Sequence, residues 1–346
     1  MASRKKTKIN YMRVIYTFMA LLIVILMIFG VSLILKTDKK EKEQSVQNID
    51  SSLSEKIQIE YPTEPEFPEI SYPQKLAEIK SFGDDIVSKA GVLLNVTDNT
   101  IVAGRDAEKK IYPASMTKVM TLIIAVENME SLSDTFTMTQ EILEPLVDAD
   151  ASRAGFEVGE TVTIEDMLYG AVLPSGADAT VGLAVKLCGS EENFVRLMNE
   201  KVEYLGLENT HFMNTSGLHD ENHYTTPVEM AMIVEYAMQN ELCRKVLSTY
   251  QYTTSSTPKH PEGIKLESTM FGRMYGNEVE EALIEGGKTG YTDEAQNCLT
   301  TFGTKGGKEY VTVTSLSYDY WLSIHDAFNI YASYIEPKTD INIVAE

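Results

Sequence analysis

The sequence predicts a single α+β domain set behind an apolar N-terminal segment, and three observations carry that prediction. Residues 14–35, VIYTFMALLIVILMIFGVSLIL, hold no charge. Strand patterns occur near residue 91 and again after residue 282, and helical patterns fill the stretch between. Terminal strands around a helical middle fit one sheet shared by both ends of the domain.

The 22 uncharged residues would span roughly 33 Å as a helix, about the thickness of a bilayer core. Arg4, Lys5, Lys6, Lys8 and Arg13 precede them without an acidic residue, whereas Lys36, Lys39, Lys40 and Lys42 are interleaved with Asp38, Glu41 and Glu43. That bias predicts a cytoplasmic tail over 1–13, a single-pass transmembrane anchor over 14–35 and an extracytoplasmic remainder at the cell membrane. The apolar run is longer than that of a signal peptide and no small-x-small site closes it, so an uncleaved anchor is expected. Residues 36–80 are polar and broken by Pro62, Pro65, Pro68 and Pro73, the composition of a flexible linker, with the domain following over 81–346.

Of 30 basic residues, six fall in residues 1–36, which leaves 24 against 51 acidic ones and a formal charge of −27 on the rest. A surface so acidic repels nucleic acid. Cys188, Cys243 and Cys298 stand far apart in no metal-binding spacing, which predicts buried thiols; no cofactor or metal is expected.

Within the domain, VLLNV and TIVAG flank the turn pair Asp98-Asn99 and predict an opening β-hairpin. Residues 113–129, PASMTKVMTLIIAVENM, are apolar on every side up to Glu127, the pattern of a helix buried all round, and Pro113 suits its first turn. Helical patterns dominate residues 163–239, where Thr163 and Asp166 have capping-box spacing and Ser175-Gly176 separates two apolar stretches. Then come LIEGGKTGY, CLTTFGT and EYVTVTSLSY as strands, with a Gly306-Gly307 turn, before a last amphipathic segment over 322–335.

Ser-x-x-Lys occurs three times, at Ser3/Lys6, Ser115/Lys118 and Ser256/Lys259, but the first lies in the basic tail and the last contains Pro258. Only Ser115 and Lys118 lie on a predicted helix, on one face. Lys118 is the sole charge between Lys110 and Glu127, so burial should lower its pKa and let it take the serine proton, while the helix N-terminus offers an oxyanion donor. Lys288-Thr289-Gly290, after Gly286-Gly287, reads as a strand edge where a substrate backbone could pair and a carboxylate could meet Lys288. A plain β-edge lysine is the bland alternative.

PASMTK, VLPSGADA, NTSGLHDENHYTT and GGKTGYTDEAQNC follow one another in an order that resembles the serine D-alanyl-D-alanine carboxypeptidases, low-molecular-mass penicillin-binding proteins of the β-lactamase-like superfamily. The resemblance runs over about residues 85–335. It implies a transpeptidase-like fold, an antiparallel sheet with helices and a helical subdomain. The implied roles are Ser115 as nucleophile, Lys118 as general base and Ser175 as proton relay. Lys288, Thr289 and Gly290 would dock substrate, and the backbone N–H groups of Ser115 and Tyr291 would form the oxyanion hole. Its substrate would be a peptidoglycan stem peptide ending in D-Ala-D-Ala, and β-lactams would acylate the same serine.

One departure is plain: where the family's second motif reads Ser-x-Asn, this chain has Ser175-Gly176-Ala177, which removes a carboxamide that positions substrate. The alternatives are a catalytically impaired wall-peptide-binding protein of the same fold, motivated by Ala177, and a β-lactamase, for which no extra deacylating carboxylate is identified. A zinc carboxypeptidase is disfavoured, since His219 and His223 do not read His-Glu-x-x-His and lie in a loop-like stretch.

Overall fold

The computed structural model describes residues 70–274 and 282–335. The expected tail over 1–13, the expected membrane segment over 14–35 and most of the expected linker lie outside them. Among the described residues no helix is long and apolar enough to cross a membrane.

A six-stranded sheet runs in the order β1-β3-β2-β10-β9-β8. Its first half comprises β1 (Gln74–Ser81), β2 (Ala90–Asn95) and β3 (Thr100–Arg105). Between the two halves in the chain, β4 (Thr135–Thr137) pairs with β5 (Thr161–Thr163) and β6 (Gln251–Thr253) with β7 (Lys265–Glu267) as two small separate sheets. The second half of the large sheet is β8 (Ala282–Thr292), β9 (Gln296–Lys305) and β10 (Lys308–Ser317). The two halves meet where β10 pairs antiparallel with β2, Thr312 opposite Leu93. Strand β1 begins ahead of the expected domain start at residue 81 and pairs parallel with β3. Its described side chains are mostly exposed, so it is held by backbone pairing to a sheet edge and leaves no apolar alternation to read.

Consecutive residues of β10 from Tyr310 to Ser315 are buried, so both sheet faces are covered. On one face Leu93 and Tyr310 pack with Ile330 and Tyr331 of the C-terminal helix, Tyr320–Ser333. On the other lies a lobe of helices. In chain order the first helices are α1 (Lys118–Asn128), α2 (Gln140–Asp148), α3 (Ile164–Val172), α4 (Ala177–Cys188) and α5 (Glu191–Tyr204). They are followed by α6 (Pro227–Gln239), α7 (Glu241–Leu247), the short α8 (Phe271–Met274) and the C-terminal α9.

Helix α1 is the axis of the lobe, packed against α3 to α7 and buried from Lys118 through Ala125. A one-turn 3₁₀ segment, Ala114–Thr117, precedes it, so Ser115 sits on that turn and not on the α-helix the pattern predicts. The predicted capping box is present: Thr163 accepts from the Asp166 N–H at the start of α3. All three cysteines are buried and free.

Candidate active site

The 3₁₀ turn and the first residue of α1 bring Ser115 and Lys118 together. The Lys118 Nζ donates to Ser115 Oγ at 2.9 Å and to the Ser216 carbonyl at 2.6 Å. Lys118 is only 2% exposed, and burial lowers its pKa from 10.5 to about 7, against the opposite pull of Asp178. Behind it, the Met213 N–H donates to His223 Nδ1, which leaves Nε2–H to donate to Thr117 Oγ1 at 2.7 Å. That tautomer braces the residue between the serine turn and the lysine, and burial holds the imidazole down at about 4.

Ser216 reaches Lys118 because Gly217 permits it. Gly217 has φ +83°, and a Cβ there would stand 1.9 Å from the Ala114 carbonyl oxygen, so only glycine fits this approach. Asn214 shapes the same loop, accepting from the Ser216 and Gly217 N–H groups. Ala114 and Ser175, both next to the chemistry, hold φ of 45° and 66°, strained values for residues with a Cβ.

Ser175 lies in the α3–α4 connection and meets Lys288 of β8, whose Nζ donates to Ser175 Oγ at 3.0 Å and to the Thr289 carbonyl at 2.9 Å. Lys288 is 1% exposed and lies behind the cleft wall. Burial, with Lys118 and Arg273 nearby, holds its ammonium well below 10.5. Thr289 is fixed by Thr269 at 2.6 Å between hydroxyls. Strand β8 presses on the serine turn: a Cβ at Gly290 would lie 3.0 Å from both the Pro113 carbonyl and the Ser115 nitrogen, so glycine is required there too.

Between these elements opens a cleft of about 640 Å³, lined by Ser115, Lys118, Ser175, Ala177, Thr289 and Arg273 among others. Tyr291 lies on its rim, an exposed residue whose hydroxyl donates to Asp293. Ala177, at the start of α4, faces the cleft; its N–H donates to the Ser152 carbonyl. Asp178 turns the other way, accepting from the Ala154, Gly155 and Phe156 N–H groups, and so anchors the loop beside the cleft.

Arg273 is the functional candidate that the sequence pattern did not single out. It brings a guanidinium to the cleft and lies over the Tyr320 ring at 4.9 Å. Its only sequence signal is a lone cation in the apolar stretch MFGRM. His219 and His223 do not converge: His223 is buried on Thr117, whereas His219 stacks edge-on with Tyr112 and approaches Glu294 at 3.7 Å.

A sheet built from both ends of the domain, a buried helix that begins at a lysine just after the turn carrying a serine, and a KTG strand laid against that turn define the transpeptidase-like class of penicillin-binding folds. The crystal structure of the Streptomyces K15 DD-transpeptidase superposes with a TM-score of 0.65 at 28% identity, covering 76% of this chain and 98% of that one. A D-alanyl-D-alanine carboxypeptidase structure from Mycobacterium tuberculosis H37Rv shares the fold with a TM-score of 0.63 at 23% identity, over 74% of this chain and 94% of that one. The sequence profile of the peptidase S11 family, described as D-alanyl-D-alanine carboxypeptidase, matches residues 77–316, and the chain belongs to that family.

Among curated relatives, the D-alanyl-D-alanine carboxypeptidase DacF of Bacillus subtilis (strain 168) is 32% identical over 227 residues. The match takes in 65% of this chain and 56% of that protein, so the chain spans little more than half of that relative's length. A D-alanyl-D-alanine carboxypeptidase of Streptomyces sp. (strain K15) is 31% identical, over 65% of this chain and 79% of its own.

Proposed function

We propose that this protein is a serine D-Ala-D-Ala carboxypeptidase that removes the terminal D-alanine from peptidoglycan stem peptides. The observation that carries the reading is the 2.9 Å contact between Ser115 Oγ and a fully buried Lys118 whose pKa falls to about 7. In its neutral form Lys118 offers a lone pair, and across that distance the Ser115 hydroxyl can pass its proton as Oγ attacks the penultimate D-alanine carbonyl. The N–H groups of Ser115 and Tyr291 would hold the oxyanion, favoured by the close seating of Gly290 on the serine turn.

Collapse of the tetrahedral intermediate breaks the peptide C–N bond. Ser175, hydrogen-bonded to Lys288, relays to the leaving amine of D-alanine the proton that Lys118 took from Ser115, which leaves Ser175 unchanged and Lys118 neutral again. Neutral Lys118 then takes a proton from the water that attacks the Ser115 ester and returns it to Ser115 Oγ as the ester C–O bond breaks, which frees the shortened peptide. Lys288 is hard to charge where it lies, so Arg273 is the cation that receives the substrate's terminal carboxylate, with Thr289 beside it. β-Lactams, which present a carboxylate and a reactive amide, acylate the same serine. Residues 14–35 anchor the protein in the cell membrane by a single pass, and the catalytic domain works outside it.

The test is release of D-alanine from a synthetic peptide ending in D-Ala-D-Ala, with EDTA present, by the wild type and by Ser115→Ala. Release by the wild type alone is expected. Ala177 favours one second reading, a protein that binds wall peptide without turning it over; peptide binding with no release from folded wild type would establish that instead.

A further inference from the structure

A second hollow, of about 810 Å³, opens where the end of α1, the α6–α7 corner and the start of β10 meet. It is remote from the cleft: Glu309 lines it at one end of β10, whereas Ser317, near the cleft, is at the other, roughly 25 Å along the strand. Val126, Met129, Met238 and Leu242 give it apolar walls.

Its polar groups are mismatched. Glu235 on α6 is 93% buried by its 7% exposure, and its Oε2 has no hydrogen-bond partner. Gln239, one helical turn on, carries a second buried acceptor without a partner in Oε1. Arg244 lines the same hollow but is already committed, to Glu285 at 2.7 Å and Glu309 at 2.8 Å. Buried acceptors are normally satisfied, and a carboxyl left without a donor is costly. Burial, with Glu309 nearby, pushes the Glu235 carboxyl up to about 7, as befits an anion lacking a counter-charge.

Two unpartnered acceptors next to apolar walls call for a ligand with several donors on one charge and a methylene chain behind it. We propose that this hollow binds an alkylammonium group, carried by a lysine-like side chain or a free diamine. The ammonium engages Glu235 and Gln239, and the methylenes lie along Val126, Met129 and Met238. A rotation of the Glu235 or Gln239 side chain turns its sealed acceptor to the hollow, and the ammonium compensates for what water does not reach. This site stands apart from the proposed peptidase reaction, and its test does not depend on turnover.

The test is calorimetric titration of the full chain, in an uncharged detergent, with n-pentylammonium, methylammonium and n-pentanol. Saturable binding of pentylammonium is expected, at least tenfold weaker binding of methylammonium and none of pentanol. Glu235→Gln, which keeps the shape of the side chain, should weaken pentylammonium at least tenfold. Met129→Trp, which leaves the carboxyl but crowds the apolar wall where the methylenes would lie, should do the same. Lysine blocked at its α-amino and carboxyl groups, run against 1,5-diaminopentane, tells which source the site prefers. Absence of saturable heat, equal binding of pentanol, or wild-type affinity in both variants would overturn the proposal.

Discussion

Acylation of Ser115 should show one acid limb centred near pH 7. Burial takes Lys118 from 10.5 to about 7, and at 1.36 kcal/mol per pH unit the folded protein resists charging it by about 5 kcal/mol relative to water. About half of Lys118 is then neutral at pH 7, about a tenth at pH 6 and about a hundredth at pH 5. The second-order rate with a fluorescent penicillin, followed by stopped flow from pH 5 to 9.5, should therefore fall tenfold per unit below pH 6 and level off above pH 8. Asp178 works against the burial, so Asp178→Asn should move the midpoint down. Linkage gives an independent check. The folded value lies below the unfolded one, so between about 7 and 10.5 the unfolded chain binds more protons and stability rises with pH. Lys118→Met should be inactive yet more stable at pH 7 by roughly 1–4 kcal/mol, with a flatter slope in that window. A rate that is flat from pH 5 to 8, or a midpoint above 9, would refute Lys118 as the proton acceptor.

Arg273→Gln should lower kcat/KM for the D-Ala-D-Ala peptide roughly 10- to 100-fold, the worth of a charged hydrogen bond. It should leave a peptide ending in a carboxamide unaffected, which a comparison of the two substrates reads directly. Ala177→Asn should raise the penicillin acylation rate up to about tenfold by placing one added hydrogen bond in the cleft, measured in the same stopped-flow assay. Gly217→Ala must displace either its loop or the serine turn, because its Cβ would meet the Ala114 carbonyl at 1.9 Å. Its acylation rate should drop by about 100-fold or more as Lys118 loses the Ser216 carbonyl, while circular dichroism shows the fold retained.

The sequence made the central pairing legible because a lysine inside an apolar run has few physical explanations. Lys118 is buried, and it reaches Ser115 as three-residue spacing requires. The terminal strands were legible for a local reason too, since the apolar run VLLNV and the β-branched, aromatic stretch EYVTVTSLSY have strand length and become β2 and β10. What stayed hidden depends on backbone or on distance. The turn that carries Ser115 is 3₁₀, which a helical pattern cannot distinguish from α. The Ser216 carbonyl that holds Lys118 has no side-chain signature, and Arg273 enters the cleft from a segment far from Ser115 in the chain. Strand β1 is a sheet edge secured by its backbone. The placement of Lys288 behind the cleft wall follows from burial in the folded state alone.

The pairing of Leu93 with Thr312 also sets the order in which this molecule can come into being. Contacts inside the helical lobe are comparatively local and can form early, whereas the central sheet must close a loop of more than two hundred residues, an entropically expensive and slow event. The seating of Gly290 against the turn of Ser115 waits on that closure. A chain still being made or threaded would thus carry its serine without the strand that completes the cleft. Reactivity would switch on as a late, cooperative step of folding, and slow refolding should show helix recovered before penicillin binding.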